Sequence, residues 1–243
     1  MSNPAPRIGI SSTIPGLGEY GAAIERCGGT AVAFSFDATT LAAQLDGIDG
    51  VVLSGGGDVD PARYGTSSPL VEGVDDVRDT FETALLLEAR RRGLATLCIC
   101  RGMQLANVVF GGTLVVDLAD AFGLASGIRH QRRDTAGKVM RGVLEDHPVN
   151  VKPGCALASI VQSEQILTGS RHHQSLDRAA GDLRVVARCT DGTIEAVEAR
   201  FASPFWVGVQ WHPESTLDLD RGESEKLFRA FVRAAAGVVT ARP

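Results

Sequence analysis

The sequence predicts an α/β fold, a mostly parallel sheet covered by helices. Short β-branched runs alternate with stretches of helical period along much of the chain. One apolar run, GVVLS at 50–54, passes straight into Gly55-Gly56-Gly57, and a second, Leu94–Ile99, passes into a helical stretch with almost no loop. Apolar runs without polar alternation are how strands buried on both faces read.

In chain order, Arg7–Ser11 is the first strand, followed by a helix at Glu19–Cys27 that Gly28-Gly29 stops. Thr30–Ser35 is a strand, Leu41–Leu45 a short helix and Gly50–Ser54 a buried strand. Val77–Arg92 carries apolar residues at 77, 81, 84, 85 and 89, the spacing of one helix face, and Gly93 ends it. Leu94–Ile99 and Gly102–Phe110 are the next strand and helix. Between about 117 and 180 the periodicity weakens, with turn signals at Pro148 and Pro153-Gly154. Leu183–Cys189 and Thr193–Ala199, joined by Thr190-Asp191-Gly192, form an expected β-hairpin. Trp206–Gln210 is a last strand and Glu223–Ala236 a closing amphipathic helix. No repeat or low-complexity linker interrupts the pattern, so residues 1–243 are expected to form a single domain.

Composition narrows the function classes. With 44% hydrophobic residues the chain of 243 can bury a sizeable core, and no apolar run reaches the ~18 residues of a membrane-spanning helix. Lys plus Arg number 24 against 29 Asp plus Glu, a net charge of −5 with no basic block, so neither nucleic acid nor membrane is an expected partner. The start, MSNPAPRIGISSTIPG, shows no secretory pattern, and a cytoplasmic location is expected. Five cysteines are an odd number, which suits thiols in a reducing compartment. Cys98 and Cys100 lack the spacing of a zinc or redox pair, so neither a metal site nor any other cofactor is expected.

The chemistry gathers at strand ends. Cys100 lies between a buried strand and a helix in LCICRGMQLAN, where free helix N–H groups favour a thiolate. Taken alone, the same segment also fits a small core hydrophobe. His212 follows the last strand in FWVGVQWHPE, with Glu214 two residues on and therefore able to reach its far ring nitrogen. In a parallel sheet the carboxyl ends of strands share one edge, so Cys100 and His212 can meet as nucleophile and base. Gly55-Gly56-Gly57 ends another strand. Its glycines suit an oxyanion hole or a phosphate cradle, and Asp58, where a phosphate loop has Lys, favours the oxyanion.

Together Cys100 in ICRGMQ, His212 and Glu214 in VQWHPE, and GGGDVDPARYG at 55–65 resemble the class I glutamine amidotransferase superfamily, and within it the γ-glutamyl-γ-aminobutyrate hydrolase family, peptidase family C26. RDTFE at 78–82, NVVFGGTL at 107–114, HPV at 147–149, SRHHQSLDR at 170–178 and DGTIEAVE at 191–198 extend the resemblance over nearly the whole chain. It implies a flavodoxin-like sheet and hydrolysis of a small-molecule γ-glutamyl amide through a γ-glutamyl thioester, as in polyamine catabolism. By position it implies Cys100 as nucleophile, His212 as base and acid, Glu214 as its orienter, the backbone N–H groups of Gly56 and Arg101 at the oxyanion, and Gln104, Ser170, Arg171 and His172 beside the glutamyl group. For His172 and His173, hydrogen bonds that only hold the loop are the other reading.

Three positions depart from the family pattern: Cys98 stands where the turn usually has Gly, Gly169 where Asn is frequent, and Val116 where a polar residue is common. A side chain at 98 is expected to crowd the turn or shift the thiol. The leading function is a stand-alone γ-glutamyl amide hydrolase. The alternatives are a glutaminase subunit that passes ammonia to a partner synthase, and a non-catalytic relative. The leaving amine and the oligomeric state, homodimer or otherwise, are not written in the residues.

Overall fold

A computed structural model describes residues 4–122, 128–132, 134–136, 139–140, 142–219 and 222–237. The first half lays down β1 (Arg7–Ser11), α1 (Gly18–Arg26), β2 (Thr30–Ala33), α2 (Leu41–Gln44), β3 (Gly50–Leu53), α3 (Asp76–Arg92), β4 (Ala95–Ile99) and α4 (Arg101–Val109). Next come β5 (Leu114–Val115), α5 (Leu118–Phe122), β6 (Glu145–Val151), α6 (Ala156–Val161), β7 (Gln165–Ser170) and β8 (Ser175–Leu176). The chain ends with β9 (Leu183–Cys189), β10 (Ile194–Ala199), β11 (Trp206–Val209) and α7 (Glu223–Ala235).

The main sheet runs β2-β1-β3-β4-β11-β10-β9-β6-β7. Its first five strands are parallel, and from β10 onward every pairing is antiparallel. Successive residues of the parallel strands feed two opposite cores. Val52, Leu97 and Ile99 pack with α1 and α7, while Val51, Leu53 and Cys98 pack with α3 and α4. Both faces are therefore covered, which is why these strands are apolar throughout.

Strand and helix ends in this half lie within two residues of the expected ones. The hairpin forms as β9 and β10, with a bulge between Ile194 and Val197. The middle of the chain departs from the expected turns. Pro148, read as a turn signal, lies inside β6 opposite Leu167. Pairing of β6 with β9 starts only at Val149, so on that side Pro148 faces no ladder that needs its missing N–H. Pro153-Gly154 is the turn, with Gly154 at φ 73°.

Cys98 does not crowd the turn. It is fully buried on the α3/α4 face, and its partner across the ladder is Gly208. A side chain at 208 would meet Met103 at 2.7 Å, so the small residue lies on β11 instead of two places before Cys100. Gly169 is also set by packing, since a Cβ there would stand 2.8 Å from Leu144. Nothing in the structure explains Val116. Among the described residues no helix is long and apolar enough to cross a membrane.

Candidate active site

The carboxyl ends of β3, β4 and β11 are neighbours on one edge of the sheet, and each delivers part of the site. At the end of β4, Cys100 adopts φ 51° and ψ −109°, a left-handed conformation that costs a non-glycine residue energy. Its N–H donates to the Val209 carbonyl at 2.7 Å, pinning the turn to β11. Its carbonyl accepts from Met103 and Gln104, so the amides of Arg101 and Gly102 precede the first bonded turn of α4.

His212 follows β11 and is buried, with Nδ1 2.6 Å from Glu214 Oε1. Burial pushes the imidazole down, but Glu214 and Cys100 outweigh it and raise its pKa to about 9. For Glu214, burial acts upward and is overcome by His212 and Arg171, which hold the carboxyl below its ordinary range. Arg171 is a quarter exposed and donates to Glu214 at 3.3 Å. Gln210 donates its amide to Cys100 Sγ at 3.4 Å and accepts from Gln104 at 3.2 Å. The edge thus holds a thiol, an imidazole backed by a carboxylate, and backbone amides, the parts needed for acyl transfer.

The glycine loop after β3 closes the site. A Cβ on Gly55 would stand 2.8 Å from the His212 ring, and one on Gly56 would stand 2.2 Å from the Arg78 guanidinium, so only glycine lets this backbone approach. Gly55 donates its N–H to the Tyr20 hydroxyl at 3.0 Å. Burial, and then the nearby Glu214 carboxylate, raise the Tyr20 phenol well above its ordinary range, so it stays neutral.

Beneath the loop lies a buried ion network. Arg78 donates to Glu82 at 2.8 Å and to the carbonyls of Ser54 and Gly55 at 3.1 Å. Arg101 pairs with both Asp79 and Glu82, and Ser11 donates to Glu82 at 2.6 Å. Asp79 also accepts from the Asp60 amide at 3.0 Å. Arg101, the residue after Cys100, is thereby locked to the loop that faces it. Asp58 in turn meets His173 at 3.1 Å, and the other ring nitrogen of His173 lies 3.1 Å from Asp117.

The structure brings Cys100, His212, Glu214, Gly56 and Arg101 together on one edge. The four residues expected beside the glutamyl group have these protein partners. Gln104 donates to the Gln174 carbonyl and to Gln210, and Arg171 turns onto Glu214. Ser170 and His172 are buried and turn toward His130, His147 and Glu195, where the chain leaves β7 inside the antiparallel half. Cysteine spacing, the basis for expecting no metal, carries no information about such a group of distant histidines. Sequence reasoning also missed Tyr20 and Gln210, and left RDTFE without a role. Charges at 78, 79 and 82 on the helix face of Phe81 and Leu85 were the one available signal.

The peptidase C26 family model matches residues 15–214. Rv2859c of Mycobacterium tuberculosis, which bears a glutamine amidotransferase name, is 38% identical over 223 residues, covering 90% of this chain and 67% of that protein. Gamma-glutamyl-gamma-aminobutyrate hydrolase PuuD of Escherichia coli K12 is 31% identical over 221 residues, covering 89% of this chain and 84% of its own. The glutaminase domain of Trypanosoma brucei CTPS with bound acivicin superposes with a TM-score of 0.62 at 18% identity, covering 98% of this chain and 96% of that one. That likeness fits the flavodoxin-like glutamine amidotransferase fold. The chain belongs to the peptidase C26 family of glutamine amidotransferase-like hydrolases.

Proposed function

We propose that this protein hydrolyses γ-glutamyl amides, γ-glutamyl-γ-aminobutyrate or a related γ-glutamyl amine, with Cys100, His212 and Glu214 as its catalytic triad. The observation that carries the reading is the left-handed Cys100 between α4 and a buried His212 that Glu214 holds at 2.6 Å. The Cys100 thiolate attacks the γ-carbonyl carbon, and the backbone N–H groups of Gly56 and Arg101 stabilise the oxyanion. His212 gives its proton to the departing amine as the C–N bond breaks, leaving a γ-glutamyl thioester. It then takes a proton from water, whose oxygen displaces the thiol and releases glutamate. Arg171, charged and partly exposed at the triad, is the group for the substrate α-carboxylate. The Escherichia coli relative's name supports the γ-glutamyl-γ-aminobutyrate reading. The amidotransferase names among the relatives support the alternative of an ammonia-delivering glutaminase subunit.

The test incubates the purified protein with γ-glutamyl-γ-aminobutyrate, a γ-glutamyl polyamine, glutamine and an α-glutamyl control, with glutamate release read by mass spectrometry. γ-Glutamyl amides should turn over without a partner, and Cys100→Ala should abolish turnover. Turnover of glutamine alone, and only after a second protein is added, would establish the subunit reading instead.

A further inference from the structure

Four buried side chains converge where β6, β10 and the segment after β7 meet. His130, His147, His172 and Glu195 have donor atoms that all lie within 4.8 Å of one another. Glu195 falls at the bulge of β10, an irregularity that re-aims a side chain, and it is 0% exposed. Its Oε1 lies 3.3 Å from His130 Nδ1, 3.7 Å from His172 Nε2 and 3.8 Å from His147 Nε2, yet neither carboxylate oxygen accepts a hydrogen bond. His172 Nε2 is likewise buried without a hydrogen-bond partner.

Outer partners hold a ring proton on His172 and His130, whereas His147 Nδ1 is buried without a hydrogen-bond partner. His172 Nδ1 lies 2.9 Å from the Gln174 carbonyl, which only accepts, so Nδ1 holds the proton and the Nε2 lone pair faces Glu195. His130 Nε2 lies 2.8 Å from Asp191 Oδ2, and its Nδ1 faces inward, 3.3 Å from Glu195 Oε1. His147 Nε2 stands 3.3 Å from His130 Nδ1 and is met from the side by the Ser170 hydroxyl at 2.8 Å. The His172 lone pair and the Glu195 carboxylate aimed at one point repel unless positive charge lies between them, and a metal ion or a proton on His130 Nδ1 supplies it. Histidines held from behind by a carboxylate or carbonyl are the usual surroundings of a bound metal ion. Ligands at ~2.0–2.1 Å around a tetrahedral ion stand ~3.3–3.4 Å apart; four of the six separations here are 3.3, 3.3, 3.7 and 3.8 Å, and all lie within 4.8 Å.

We propose that His130, His147, His172 and Glu195 bind one divalent transition-metal ion of the zinc class. Three imidazoles and a carboxylate suit zinc and its neighbours rather than magnesium or calcium. Four protein ligands complete a tetrahedron, so the ion is structural and stands apart from the Cys100 edge. It ties strands of the antiparallel half to the segment that carries Arg171 to Glu214, and so positions Arg171.

The test takes the full chain, strips it with a chelator, and adds zinc or cobalt. Expected are one equivalent of zinc by elemental analysis and, with cobalt, visible ligand-field bands of a tetrahedral site without a thiolate charge-transfer band. His172→Ala and Glu195→Gln should each weaken zinc binding by at least ~10-fold, while Cys100→Ala keeps the stoichiometry. Should His172→Ala fail to fold, Asp191→Asn leaves all four ligands and should still cost ~10–100-fold, because it frees the His130 ring. Substoichiometric zinc in the wild type, unchanged affinity in the folded variants, or a thiolate band that places the ion on Cys100 or Cys189 would overturn the proposal.

Discussion

Two buried polar clusters support the reactive edge, and they differ in how their charges are answered. Under the glycine loop, no buried polar atom of Arg78, Asp79, Glu82 or Arg101 lacks a partner. In the antiparallel half, both oxygens of Glu195 and Nε2 of His172 lack a hydrogen bond. A buried network closed on itself serves as scaffolding, here for the loop and for the residue after Cys100. A buried cluster left open is costly and points to a missing ligand. The difference teaches that buried charge in this protein has two uses, one finished by folding and one finished by binding.

The sharpest way to break that contrast is to open the closed cluster. Glu82→Ala leaves the Arg78 and Arg101 guanidiniums buried without their shared carboxylate, and should cost about 3–5 kcal/mol in chemical denaturation. Closing the open cluster should do the reverse. Zinc at about 100 times the wild-type Kd should stabilise the wild type by about 2.7 kcal/mol and Glu195→Gln, at least ~10-fold weaker, by no more than about 1.4 kcal/mol, read as the shift of the thermal midpoint.

At the boundary between scaffold and chemistry, Tyr20→Phe removes the acceptor for the Gly55 N–H. A loss of about 1–3 kcal/mol in stability is expected, and the proposed role of the loop amides in the transition state calls for a lower kcat with little change in KM. The His212–Glu214 pair gives a pH signature. His212 is protonated up to about 9 in the folded protein against ~6.5 unfolded, so its contribution to stability is full below ~6.5 and is lost as pH rises to about 9. Glu214→Gln should flatten that slope in denaturation series run across the interval. The smallest effect is expected from Cys98→Gly. It opens a small void against the α3/α4 core, costing about 1–2 kcal/mol, and leaves turnover intact because Cys98 faces away from the site.

The strands and helices of the parallel half were legible in the sequence because their patterns are local. Val51, Val52 and Leu53 are apolar because each face of the sheet is covered, and Val77–Arg92 shows helical period because one face is buried. Cys100, His212 and the glycine loop were legible for a related reason: in a parallel sheet, the end of a strand is also a place in space. The region from β6 to β8 was not. β6 and β7 run seven and six residues but carry turn-type residues, and Pro148 is tolerated inside β6 only because the neighbouring ladder has not yet begun. Nor does any local pattern reveal Tyr20 under Gly55, or three histidines and Glu195 at one point. Those meetings depend on strand order and on a bulge, and a sequence period records which face a residue takes but not which distant residue shares it.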